Sequence, residues 1–242
     1  QVAKNDPVEQ TRSLIISKSL EYARAADIYE LALSVNRDLI SQMPITADIW
    51  KFSGTAARAL YTMSRPKPAE AWISHLSDQA LRDPEAETDL LQLWALSRMA
   101  SNQLNPAIDE EKGRQAWIDL VRVSVPNENE GEVNRRIGLT YHLLEALGRP
   151  PVSERAWLDL ASGDSSVMSV SPNAALIHLL RDAAVNGKRA ETVSLVLSIY
   201  AQTKVDRMAP SLAATIVSAL GAVGLEAEAR ALALEIALAN GL

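Results

Sequence analysis

Asn186-Gly187-Lys188-Arg189-Ala190-Glu191 and Val223-Gly224-Leu225-Glu226-Ala227-Glu228 stand 37 positions apart, and the likeness around them decides the fold class. Carried outward, Ser171 to Tyr200 lies on Met208 to Ala237 without a gap: Ala183 falls on Leu220, and Leu195, Leu197 and Ile199 fall on Leu232, Leu234 and Ile236. Each stretch reads as helix, glycine turn, helix, because apolar residues recur at helical spacing on both sides of a residue suited to end a helix. A fixed period of this length marks stacked helical hairpins, since one hairpin alone cannot bury its apolar face.

Composition agrees. In 242 residues, 48% are hydrophobic, Ala and Leu abound, Phe occurs once, and most of the 11 prolines fall between helical runs. That balance builds many close-packed helices and one elongated domain or two short ones, and gives little to a β-sandwich. A net charge of -6 supplies no global positive field, so nucleic acid is not an expected partner. No run reaches the roughly 18 uncharged apolar residues of a membrane span, so direct membrane insertion is not expected either. The absence of cysteine removes disulfides, thiolate nucleophiles and Cys-ligated zinc, and suits a cytoplasmic or a bacterial periplasmic protein. The opening Gln1-Val2-Ala3-Lys4-Asn5-Asp6-Pro7 has no Met and no hydrophobic leader, which we read as a fragment of a longer protein or an export product after leader removal.

Working toward the N-terminus, Asp6-Pro7 opens an apolar-periodic run that ends at Met43-Pro44, giving an N-terminal helical segment over 1–45 of one long helix or two short ones. Residues 46–242 form the repeat domain. Thr46 starts a helix through Trp50, Phe52 and Tyr61, and Arg65-Pro66-Lys67-Pro68 turns it into a second one reaching Leu81. The next hairpin pairs Pro84 to Ser101 with Asp109 to Val123 and closes at Pro126-Asn127. The third runs from about Gly131 to Leu147, turns at Gly148 and returns from Ser153 to Ala161. The stretch 162–172 is the weakest in helical signal and a candidate hinge. The expected architecture is all-α: a right-handed α-solenoid of about five helical hairpins preceded by the N-terminal segment.

Trp50, Trp72, Trp94 and Trp117 are spaced by 22, 22 and 23 residues, close to one helix plus its connection. Trp72, Trp117 and Trp157 each follow an Ala early in the second helix of a hairpin, where a small residue admits the neighbouring backbone and the indole fills the remaining gap. Core packing is the expectation, with a row of exposed indoles clamping a peptide or sugar as its rival.

The glycine turns at Gly148, Gly187 and Gly224, with Ala190 or Ala227 shortly after, resemble those of tetratricopeptide-like α-solenoids over Thr46 to Leu242. The units of about 37 to 45 residues depart from that family's 34-residue period and its Trp-Leu-Gly-Tyr pattern. The resemblance implies a binding scaffold that uses the groove formed by the first helix of each hairpin. On that implication Arg58, Arg98, Arg135, Arg136, His142 and Arg181, all from first helices, would line a positive groove in an otherwise acidic protein. Arginine forks onto carboxylates, so the expected partner is a protein or peptide of acidic character. The competing reading makes these groups solvated helix faces paired with nearby Asp or Glu.

No catalytic, metal or cofactor set emerges. Asp109-Glu110-Glu111 sits where carboxylates meet the free N-H groups of a helix start, and Glu128 to Glu132 lacks the spacing of a calcium loop. Asp48 and Asp83 read as helix caps. His75, His142 and His178 are scattered, and neither a Gly-x-Ser-x-Gly elbow nor a phosphate loop occurs. Two alternatives remain beside the scaffold: a module that self-associates through the Ala/Leu-rich stretch Leu212 to Ala239, giving a homo-oligomer, and a superhelical domain of a glycan-acting enzyme whose distant carboxylates converge in a cleft.

Overall fold

Proline, capping and glycine signals place the helices. A computed structural model describes residues 7–26, 28–101, 108–124, 130–149, 152–161 and 173–241, and among them the chain is all-helical, with no β-strand. The candidate hinge 162–172, the link 102–107 and the closure at Pro126-Asn127 lie outside the described residues. The helices are α1 (Pro7–Ala25), α2 (Tyr29–Gln42), α3 (Ser53–Thr62), α4 (Pro66–Ala80), α5 (Pro84–Gln92), α6 (Trp94–Ala100), α7 (Glu110–Ser124), α8 (Glu130–Ala146), α9 (Glu154–Ala161), α10 (Ala174–Val185), α11 (Arg189–Gln202), α12 (Pro210–Ala222) and α13 (Glu226–Ala239). Short 3-10 segments occupy Ala47–Phe52 and Val205–Arg207.

Pro66, Pro84 and Pro210 stand at the first helical position, where a fixed φ and a missing N-H cost nothing. Asp83 accepts from the Glu85 N-H, Asp109 from the Lys112 N-H at 2.8 Å, and Asn173 from the Ala175 N-H, so each caps a helix. Gly148, Gly187 and Gly224 all take a positive φ just past a helix end. In each turn the next N-H closes a bond to the carbonyl five residues back: Arg149 to Leu144, Lys188 to Ala183, Leu225 to Leu220. Ser64 makes the same turn after α3 at φ 55°, in a region that a side chain makes unfavourable.

The chain divides into two compact units, Gln1–Ser97 with Asn105–Ala116, and Arg98–Leu104 with Trp117–Leu242. In the first, α1 packs on α2, and the 3-10 segment, α3, α4 and α5 follow as neighbours in turn. Its core gathers Ile16, Leu20, Leu33, Ile40, Phe52, Leu60, Leu76 and Leu90. Trp72 is buried with its ring edge-on to Phe52 at 5.5 Å, and Gly113 lets its helix approach Trp94, since a Cβ there would lie 2.6 Å from the indole.

In the second unit the bounds of the hairpins α10–α11 and α12–α13 coincide under the 37-residue shift, except that α12 begins one residue earlier, at Pro210. α12 packs broadly on α8 and also on α10, so the first helices run α8, α12, α10 in space and not in chain order. Buried Leu212, Ala213, Ile216, Val217, Ala219 and Leu220 cover nearly half the circumference of α12, as a helix with neighbours on two sides requires. The end of α13 is tied to α8: buried Asn240 donates to Val205 O and Ile236 O and accepts from Arg135 Nη1 at 2.8 Å.

Candidate functional site

The groove expected along the first helices takes different forms at its six candidate residues. Arg58 belongs to the first unit, where burial, then the neighbouring Arg24, bring its guanidinium down to about 10; Tyr29 and Asp89 oppose. Asp89 is pushed up, first by burial and then by Glu85. In the second unit Arg98 is buried, and its carbonyl accepts from Arg149 Nε at 2.9 Å while Arg149 Nη2 donates to Ser101 O. Arg149 thus covers the end of α6 with its charge, and its guanidinium is lowered by burial and by Arg98 and Arg230.

Arg135 is held between Glu132 and Asn240, with Nε to Glu132 Oε2 at 2.9 Å. Arg136 lies against Gly241, where an added Cβ would come within 3.2 Å of its guanidinium. Both adjacent arginines therefore seat the end of α13. His142 packs tilted against Trp157, ring centroids 4.8 Å apart; the same indole meets Tyr141 edge-on and donates from Nε1 to Glu145 Oε1 at 3.0 Å. Burial lowers the His142 imidazole, and Glu145 opposes that shift. Trp157 is half-buried and Trp72, Trp94 and Trp117 are buried, so these indoles serve packing and form no exposed row.

Arg181 stands apart from the others. It lies on the exposed side of α10 and reaches Thr215 Oγ1 on α12 at 3.4 Å, and among the described residues no carboxylate pairs with it. Between the two helices is an open pocket of about 310 Å³. Ala184, Ala214, Ser218, Ala219 and Ala222 form its walls, with Val185, 85% exposed, at its edge. On α12 the stripe Ala214, Ser218 and Ala222 recurs every four residues, which keeps one face of the helix shallow along its length. A shallow small-residue floor with one guanidinium and the hydroxyls of Thr215 and Ser218 can seat apolar side chains while orienting a carboxylate.

Sequence reasoning reached Arg181 and missed Thr215 and the alanine floor. The spacing of Ala214, Ser218 and Ala222 was the available signal, hidden in a helix that is small and apolar nearly throughout. Among the described residues no group of three or more His, Cys, Asp or Glu could hold a metal ion, and no helix is long and apolar enough to cross a membrane. No protein-family model, curated protein or solved structure matches this chain.

Proposed function

We propose that this chain is a protein-binding scaffold, a helical-hairpin repeat of the α-solenoid kind, whose groove between α10 and α12 receives a peptide or helix from a partner protein. The observation that carries this reading is the open pocket with Arg181 and Thr215 at its side and an alanine and serine floor. The closely matching bounds of α10–α11 and α12–α13 support the repeat character, and the placement of α12 between α8 and α10 modifies a strictly sequential stack.

The chemistry selects an occupant with an Asp, Glu or chain-terminal carboxylate for Arg181 next to an apolar residue for the floor and Val185. Partial exposure keeps the ion pair salt-sensitive, so the apolar contact supplies most of the affinity and the charge supplies orientation. Arg98, Arg135 and Arg136 serve the frame that holds α6, α8 and α13 in place.

Selection of a displayed random-peptide library on the folded domain tests the reading. The expected peptides carry an acidic residue beside an apolar one and lose roughly tenfold to a hundredfold in affinity against Arg181→Glu, the range for losing a charged anchor. Enriched peptides that bind Arg181→Glu as tightly as the parent, or no enrichment on the folded domain, would contradict it.

A further inference from the structure

The large apolar side chains that remain exposed are concentrated on the first helical pair. On α1 they are Val8, Leu14, Ile15 and Tyr22, 56 to 70% exposed, of which Val8, Ile15 and Tyr22 recur every seven residues. On α2 they are Leu31, Val35 and Leu39, preceded by Ile28, and 45 to 72% exposed. The buried residues of the same helices, Ser13, Ile16, Leu20 and Ala23 in α1 and Leu33 and Ile40 in α2, lie on a different face, where they meet the 3-10 segment and α3. The exposed residues are therefore a second apolar stripe on each helix, separate from the stripe that joins the unit core. In contrast, Leu212, Ile216, Leu225 and Leu234, in the Ala/Leu-rich stretch expected to self-associate, are buried within the second unit.

Three features say what covers the first pair. The exposed stripe precedes the buried one in the same sense on both helices, directly so at Ile15-Ile16 and Tyr22-Ala23 on α1 and at Leu39-Ile40 on α2. In an antiparallel pair that shared rotation places the two stripes at matching positions, so the surface is nearly symmetric in itself. The charges then complement on exchange: α1 carries three cations against two carboxylates, and α2 one cation against two carboxylates. With a large apolar side chain presenting roughly 150 to 250 Å² when fully exposed, the two stripes offer on the order of 800 Å², close to what each partner of a standard interface buries. That is more than the roughly 300 to 600 Å² of the largest apolar patch on an ordinary monomer.

We infer that the occupant is a second copy of this chain, whose α1–α2 pair closes an antiparallel four-helix bundle with α1 of each copy on α2 of the other. A twofold axis along the bundle keeps the register of the hairpin itself. It sets Ile15 against Leu39 and Tyr22 against Leu31 and Val35, with Lys18 of one copy beside Asp38 of the other. This surface is distinct from the α10–α12 groove, and either assignment can fail without the other.

Sedimentation equilibrium at about 100 µM, far above a micromolar dissociation constant, tests the bundle. The expected mass is twice 26.3 kDa. Ile15→Glu with Val35→Glu should raise the dissociation constant at least about a hundredfold by burying carboxylates without partners, and leave helicity unchanged. Leu179→Glu with Leu197→Glu, on the repeated hairpin, should leave the dimer intact. Because the chain has no cysteine, mixing Ile15→Cys with Leu39→Cys protein under mild oxidation reads the register while keeping the surface apolar. Mixed crosslinks should form faster than either self-crosslink. A monomeric parent protein, a dimer unaffected by the Ile15 and Val35 changes, or self-crosslinks as fast as mixed ones would overturn the proposal.

Discussion

The two repeated hairpins share a pattern and differ in surroundings. At the positions that face across each hairpin the environments match: Leu180 and Val217, Val196 and Ala233, and Ile199 and Ile236 are buried in both. At the outer positions they part. Leu179 is 46% exposed while its counterpart Ile216 is fully buried, and Leu197 is 63% exposed while Leu234 is at 5%. The repeated pattern thus specifies a hairpin and its turn, and the neighbours decide which outer residues become core. α12 gains α8 on one side and α10 on the other, whereas α10 keeps an open side at Leu179.

The largest expected effect separates Ile216 from Leu179. Ile216→Ala should cost about 2 to 5 kcal/mol in urea unfolding, as for a fully enclosed aliphatic side chain, and Leu179→Ala about 0.5 kcal/mol or less. Equal costs would break the comparison. Next is Asn240, whose counterpart 37 residues earlier is Thr203. Asn240→Ala removes the Asn240 bonds to Arg135 Nη1 and Val205 O, while Arg135 keeps Glu132, and should cost about 1 to 3 kcal/mol.

The glycine turns should respond alike. Gly187→Ala and Gly224→Ala each force a side chain into a positive φ, and each should cost about 1 to 2 kcal/mol. A pair of values that differ widely would show that the turns are not equivalent. Thr192 sharpens the comparison from the other side, because its hydroxyl is buried without a hydrogen bond and its counterpart is Ala229. Thr192→Val should be neutral or gain up to about 1 kcal/mol.

The smallest effect lies on α8, the helix that covers α12. His142 is held below its ordinary value by burial, so below pH 6.5 the unfolded chain binds more protons than the folded one. Its contribution to stability is present above that pH and is lost as the pH falls. Urea unfolding of the parent and His142→Asn at pH 7.5 and 5.5 should show a smaller loss of stability on acidification in the variant.

Local elements were legible because local chemistry decides them. The Asp83 and Asp109 caps, Pro66, Pro84 and Pro210 at helix starts, and the turns at Gly148, Gly187 and Gly224 all stand where the residues point. Some breaks were hidden. Apolar spacing continues from α1 into α2, and Leu93 divides α5 from α6 without a proline or glycine. Long-range partners were hidden too: Asn240 meets Arg135 from 105 positions away, and no local pattern announces that α12 lies between α8 and α10. The same applies to the groove, where Arg181 was visible as a cation, while the absence of a carboxylate partner for it among the described residues is a property of the packed unit.

Hydrogen exchange of the whole chain with and without a peptide selected on it tests the central claim most directly. The groove account predicts slower exchange confined to the amides around Arg181 to Val185 and Ala214 to Ala222, and, at a peptide concentration near the parent's dissociation constant, almost none of that slowing in Arg181→Glu. Protection that appears elsewhere in the chain, or that persists in Arg181→Glu, would contradict it.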